Sequence, residues 1–509
     1  MSLLKKNIVA NFGGSVCTGL MGLVFVPLYI HFLGIEAYGL IGIFATLLAI
    51  FGVLDMGLSS TLNREMARLA VQEDKAREMR DLVRTLEIPY WAVGLLISVI
   101  VIVLSPFIAY HWINAKNLSP KTVQTAIMIM GLAIAFQWPM SFYSGGLMGL
   151  QRQVLLNVIN VVMATFRGLG AVLILWLVSP TVEAFFSWQI VVSGIHIGLI
   201  VFFLWRSLPY AAEAPRFRRD LLLNIWRFAA GMTGITVLAT ILTQLDKIIL
   251  SRMLSLEMFG YYTLASVVAM TLNRFISPVF SATYPRLTNL VALGAKEELT
   301  RLYHKSAQFM SVLVLPTAVV VTLFSKQILL LWTQNSTTAE HTHLLVSILV
   351  MGTAFNGLMN IPYALQLAFG WTRLAFLVNV VSVLLLVPLM IVLTKWYGAV
   401  GAASVWVILN GGYVLFTIQI MHRRLLPTEK WRWYHEDIGI PLVVSLAVAG
   451  GFRLMVPLPD KQLFQVVYLA LVSGLTLGIT AMATSVTRNW IRTHISSGRV
   501  LLCNQIRKI

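Results

Sequence analysis

Roughly fourteen apolar stretches divide the chain, each long enough (about 20 residues) to cross a ~30 Å hydrocarbon layer as a helix. They begin near Ile8, Gly39, Ile88, Val123, Val154, Ala184, Ile225, Gly260, Ser306, Leu344, Arg373, Val400, Ile438 and Leu463. Lipid offers no partner to an exposed backbone amide, so such runs must be helices or the strands of a closed barrel. Barrel strands alternate over about ten residues, and these runs do not. The expectation is an all-α polytopic membrane protein of about 14 transmembrane helices. Composition agrees: the chain is 58% hydrophobic and 11% charged, where a soluble domain carries about a quarter charged residues.

The runs are duplicated. Gly34-Ile35-Glu36-Ala37-Tyr38-Gly39 returns as Ser255-Leu256-Glu257-Met258-Phe259-Gly260, 221 positions on, each copy in the gap between two apolar runs. Asn160-Val161-Val162 returns as Asn379-Val380-Val381, 219 positions on. Internal repeats across spans are a carrier pattern, in which two bundles rock about a site at their interface. Six spans per repeat is an even number, so both halves enter the membrane the same way round, about an axis along the membrane normal. The domain expectation is a six-helix half over 1–206, a linker at 207–224, a second half over 225–422, two additional helices over 423–487 and a tail at 488–509.

The net charge of +18 orients the chain and does not bind nucleic acid. With the N-terminus inside, the inner segments hold 28 of the 38 Lys and Arg residues, and the outer ones (Lys116, Lys121, Lys247, Arg252, Lys326, Lys395, Lys461) hold seven. That is the positive-inside bias, placing both termini in the cytoplasm and the basic segments against anionic headgroups. Cys17 and Cys503 are too far apart in the pattern to form a structural disulfide. No metal-ligand spacing, phosphate-binding glycine loop or cofactor fingerprint occurs, so neither a cofactor nor a metal is expected. The first apolar run is read as a retained span, not a cleaved leader. Outer loops are short, the longest being roughly 326–343. A membrane transferase would need a larger loop to carry its catalytic groups, so the chain reads as no enzyme.

Charges inside spans are costly and mark function by default. Four lie away from span ends: Asp55, Arg167, His196 and Arg274. Arg274 shares a helix side with Thr271, Ser277 and Ser281, and Arg167 shares an arc with Asn160 and Asn157. Two arginines on polar stripes would form a cationic cavity suited to forked hydrogen bonding with a phosphate group. Subtracting the repeat offset brings Arg274 beside Asp55, so an internal Arg274–Asp55 ion pair stands as the other reading. Asp246 and Lys247 form either a gate or ion-coupling site, or an interfacial pair that snorkels into headgroups. His196 is a proton relay or a packing residue. Pro27, preceded by glycines 13, 14, 19 and 22, is a gating hinge or a static kink in close helix packing. Trp112, Trp188, Trp332 and Trp396 fall near predicted outer boundaries as belt residues.

The segments Lys5–Asn11, Val26-Pro27-Leu28-Tyr29, Leu33–Gly39, Leu54-Asp55-Met56-Gly57-Leu58 and Asn63-Arg64-Glu65 resemble the polysaccharide transporter family. These are the Wzx-type flippases within the multidrug/oligosaccharidyl-lipid/polysaccharide superfamily. Gly149-Leu150-Gln151-Arg152, Gln244-Leu245-Asp246-Lys247 and Gly260-Tyr261-Tyr262 continue the likeness, which covers the two six-span halves. The resemblance implies a bacterial inner-membrane protein that carries an undecaprenyl-diphosphate-linked oligosaccharide outward for O-antigen, capsule or exopolysaccharide assembly. Its expected partners are that lipid-linked substrate, membrane lipids, and the polymerase and chain-length regulator of the same route. A cation-coupled multidrug exporter of the same superfamily and a flippase for the peptidoglycan precursor are the rival readings.

Overall fold

A computed structural model describes residues 3–72, 74–221, 240 and 243–484. The start of the predicted seventh span, Arg227, the tail at 488–509 and Cys503 lie outside the described residues. The described residues are predominantly helical, with one isolated bridge between Asn114 and Ser255. Among the described residues eleven helices are long and apolar enough to cross a membrane, and a shorter apolar stretch, Ala10–Val24, accompanies them.

The chain divides into two compact units, Met1–Thr263 and Leu264–Ile509. The first contains α1 (Leu3–Val24), α2 (Val26–Gly52), α3 (Leu58–Leu69), α4 (Ala76–Phe107), α5 (Pro120–Gln137), α6 (Met140–Gly149), α7 (Gln153–Leu177), α8 (Val182–Ser207) and α9 (243–253). α10 (Leu256–Met270) follows, and then α11 (Asn273–Ala292), α12 (Lys296–Leu323), α13 (Ser325–Thr333), α14 (Ser336–Ala368), α15 (Thr372–Gly412), α16 (Ile418–Leu425), α17 (Lys430–Met455) and α18 (Gln462–Ala483).

Span boundaries do not always coincide with helix ends. Pro27 sits in the first turn of α2, where its missing amide costs nothing, and the break falls at Phe25. α2 then turns sharply at Gly34, whose φ of 81° and ψ of 165° leave the helical region. Predicted spans one and two thus part at Gly34, inside what is formally one helix. Gly398 (φ 58°, ψ −139°) divides α15 in the same way, where spans eleven and twelve were expected to part.

Within the polar segment 63–87, residues 63–69 and 76–87 are helical, as the charge spacing suggested, and charges pair locally. Arg68 bonds Glu65 at 2.8 Å, Lys75 bonds Glu78 at 2.6 Å and Arg84 bonds Glu87 at 2.5 Å. The described part of the linker is fastened to α4: the Arg216 amide donates to buried Asp81 at 2.8 Å, and the Arg218 amide to Thr85 Oγ1 at 2.9 Å. The longest predicted loop, 326–343, is instead mostly helix. α13 fills its first half, and Asn335 caps α14 by accepting from the Thr338 amide at 2.8 Å. Only Gln334 and Asn335 remain between the two helices.

Candidate functional site

Asp55 sits where the second span unwinds. α2 ends at Gly52, a single 3₁₀ turn covers Val53–Asp55, and Met56 and Gly57 both take left-handed φ before α3 begins. The turn brings the carboxylate among hydroxyls. Tyr90 of α4 and Ser59 of α3 donate to Asp55 Oδ1, and Ser141 of α6 lies 3.5 Å from it. One helical turn before Tyr90, Glu87 accepts from the Tyr143 hydroxyl at 3.2 Å, and Tyr143 in turn accepts from Trp91 Nε1 at 2.9 Å. Tyr90, Ser59, Ser141, Glu87 and Tyr143 escaped the sequence reading. The usable signal was Asp55 itself, since a carboxylate at mid-span demands donors from neighbouring helices.

The duplicated span unwinds at a corresponding place. Between α10 and α11 the amides of Thr271, Leu272, Arg274 and Phe275 bond three residues back instead of four, a local 3₁₀ stretch. Pro278 also removes the amide that would serve the Arg274 carbonyl. Arg274 therefore stands at the start of a new helix, and its side chain is exposed together with Ser277 and Ser281. Thr271 folds its hydroxyl onto the Val267 carbonyl at 3.1 Å. Each repeat thus carries a charged residue beside a helix break, the arrangement by which carriers build binding sites from discontinuous helices.

A second group lies in the first unit on α7 and α8. The sequence placed Asn157, Asn160 and Arg167 on one arc of α7, and the structure connects them to three helices. His196 Nε2 lies 3.1 Å from Asn160 Oδ1, and His196 Nδ1 is buried with no hydrogen-bond partner among the described residues. The His196 contact with Asn160 ties α8 to α7. Asn157 donates to Asn11 of α1 at 2.6 Å and fills the space left by the absent side chain of Gly14. Arg167 is partly buried, within electrostatic reach of Tyr29 and His196. Among the described residues no carboxylate pairs with it. Trp188, expected as a belt residue, donates its indole N–H to the Arg167 carbonyl at 3.1 Å.

Asp246 and Lys247 lie in the first half of α9 and turn toward protein groups. Asp246 accepts from the buried Tyr262 hydroxyl at 2.8 Å, and Lys247 Nζ is 3.9 Å from Asp246 and 3.3 Å from the Thr243 carbonyl.

The duplicated phrase meets its own copy. A Cβ on Gly39 would lie 2.6 Å from the Leu256 carbonyl oxygen, and one on Gly260 would lie 2.2 Å from that of Ile35. Residues 35 and 39 are the repeat equivalents of 256 and 260, so the contact is reciprocal in the manner of a two-fold interface. Beside it, Glu36 is buried and accepts from the Lys116 and Asn117 amides, while Leu256 donates to Asn114 at 2.8 Å.

Long helices interrupted beside charged residues, in a chain built from a repeat, define a polytopic carrier of the all-α type. The chain belongs to the family described as polysaccharide biosynthesis protein, whose model matches residues 4–291. A second model, MatE, matches residues 233–392. A Shigella flexneri protein named as an O-antigen transporter is 21% identical over 407 residues, covering 80% of this chain and 94% of that protein. Among solved structures, the lipid II flippase MurJ in an inward closed conformation aligns with a TM-score of 0.69 at 15% identity, over 94% of this chain and 98% of its own. A mutant of the Vibrio cholerae MATE transporter VcmN aligns with a TM-score of 0.57 at 14% identity, over 84% and 98%. The family and the fold make this a membrane transport protein of the multidrug/oligosaccharidyl-lipid/polysaccharide superfamily.

Proposed function

We propose that the protein is a flippase that moves a polyprenyl-diphosphate-linked oligosaccharide from the cytoplasmic to the periplasmic leaflet of the bacterial inner membrane. The observation that carries this reading is Arg167: a partly buried guanidinium with no carboxylate answering it among the described residues. A cation held inside a bundle at a cost of several kcal/mol needs an anion in the working cycle. A diphosphate supplies one in the forked geometry that arginine favours.

In this reading the substrate-binding residues are Arg167, Asn160 and Asn157 in the first unit and Arg274 and Thr271 in the second, the guanidinium groups suiting phosphate and the polar groups suiting sugars. Asp55, Asp246 and Lys247 act in gating or ion coupling, and Pro27 and the Phe25 break serve the bending of the first span. The six-helix halves are 1–206 and 225–422, with 423–487 as an appended pair, and both termini face the cytoplasm. The membrane potential favours export: each negative charge moved outward gains roughly 2.3 kcal/mol per 100 mV, so a diphosphate with about two charges gains ~4–5 kcal/mol. The named O-antigen transporter of Shigella flexneri and the lipid II flippase fold support a lipid-linked sugar as the cargo class.

The MatE match at 233–392 supports a second reading, a multidrug exporter. One experiment separates the two. Deletion should leave lipid-linked oligosaccharide in the cytoplasmic leaflet and remove the surface polymer, with drug resistance unchanged. Intact polymer together with raised sensitivity to cationic dyes would instead establish the exporter.

A further inference from the structure

A buried polar assembly that transport chemistry does not use lies in the second unit, where α12 meets the end of α16 and the start of α17. His304 of α12 is 2% exposed and Asp437 of α17 is fully buried. His304 Nδ1 lies 2.6 Å from Asp437 Oδ2, and its Nε2 lies 3.0 Å from Glu429 Oε2. The other Asp437 oxygen accepts from Gln308 Nε2 at 3.0 Å, and the other Glu429 oxygen accepts from the Thr428 hydroxyl at 3.2 Å. Arg432 stands 3.7 Å from Glu429.

Proton counting decides the state of the ring. A neutral imidazole has one N–H and one bare nitrogen, and an ionised carboxylate can only accept. A bare nitrogen facing a carboxylate oxygen at 3.0 Å or less would set two lone pairs against each other. Gln308 already donates to one Asp437 oxygen, and imidazole is a stronger base than a carboxylate, so the extra proton is assigned to the ring. His422 nearby shows the contrast. Its Nδ1 faces the Ile418 carbonyl at 3.1 Å and its Nε2 faces the Tyr303 hydroxyl at 3.2 Å, partners that suit a neutral ring.

We propose that His304, doubly protonated between Asp437 and Glu429, is a proton-binding site that clamps one end of the appended helix pair, α17 and α18, to α12. The opposite end is held differently. There Val319, Val320 and Phe324 pack with Ala449 and Val472 in an apolar cluster that no proton affects. A π-helical stretch, Trp433–Gly439, brings Asp437 into the clamp, and such bulges recur where a helix serves a function. Losing the extra proton leaves the buried Asp437 and the partly buried Glu429 facing a ring that can answer one of them, so alkaline pH releases this end while the apolar end stays packed. The other charged or titratable groups around the ring are Tyr303 on α12, His422 on α16, and Lys430, Arg432, Tyr434 and Glu436 on α17. The titratable groups of α14 (Glu340, His341, His343), Lys461 before α18 and Arg453 of α17 belong to the opposite ends of their helices.

The test uses the full-length protein in lipid nanodiscs with ¹⁵N-labelled histidine. At pH 7 one histidine should show both ring nitrogens protonated, and that signal should vanish in His304→Gln or shift in Glu429→Gln. The melting temperature of the unaltered protein should fall between pH 6 and pH 9, and that fall should shrink in His304→Gln while persisting in His422→Gln. A neutral His304 ring at pH 7 overturns the proposal, even if one variant fails to fold. So does a pH dependence of melting that is the same with and without His304.

Discussion

Alanine at Gly39 or Gly260 tests whether the duplicated phrase is a contact surface. An added methyl would sit 2.6 Å from the Leu256 carbonyl oxygen or 2.2 Å from that of Ile35, and both obstacles are backbone, which cannot rotate aside. Ordinary contact begins near 3.4 Å, so the two segments must part by about 1 Å in either variant. Overpacking of this kind costs ~1–3 kcal/mol, and Gly260→Ala, with the tighter clash, should cost more than Gly39→Ala. Because the two contacts are reciprocal across one interface, separation forced by the first alanine makes room for the second. The double variant should therefore cost clearly less than the two single costs together, a coupling of ~0.5–3 kcal/mol. Thermal unfolding of the four proteins in one detergent, read by the tryptophans, measures each cost, and polymer export in a deletion strain measures the effect on transport. Additive losses would refute the reciprocal contact, and single variants as stable as the parent would refute the clash itself.

Arg167→Ala should insert and fold but lose polymer export, while Arg167→Lys keeps part of it because a point charge lacks the fork; export at the parental rate in the alanine variant would sink the anion site. Arg274→Ala should behave alike, and if it exports normally its guanidinium has no part in binding. Asp55→Ala leaves the Tyr90 and Ser59 hydroxyls without their acceptor and should cost ~1–3 kcal/mol in thermal unfolding, more than Tyr90→Phe; an unchanged melting point would contradict the network. Cysteine labelling should reach Cys503 and positions within 63–87 only from the cytoplasmic side, and periplasmic labelling would reverse the proposed orientation.

Much of the architecture was legible because lipid removes choices. Apolar runs of about 20 residues must be helices, and the Lys and Arg asymmetry is counted, not folded. The arc of Asn157, Asn160 and Arg167 followed from helical period alone, and the family likeness rested on residues of the first eight spans. Tertiary structure decided what periodicity cannot see. The breaks beside Asp55 and Arg274 depend on left-handed residues at 56 and 57 and on 3₁₀ bonding at 271–275, which hydropathy does not register. The hydroxyls around Asp55 come from α3, α4 and α6, and the two carboxylates flanking His304 stand 125 and 133 positions away along the chain. Such partners meet only when helices pack. The repeat showed that Gly39 and Gly260 are equivalent, but only the folded chain brings each against the other copy, because close approach is a property of two backbones and not of either sequence.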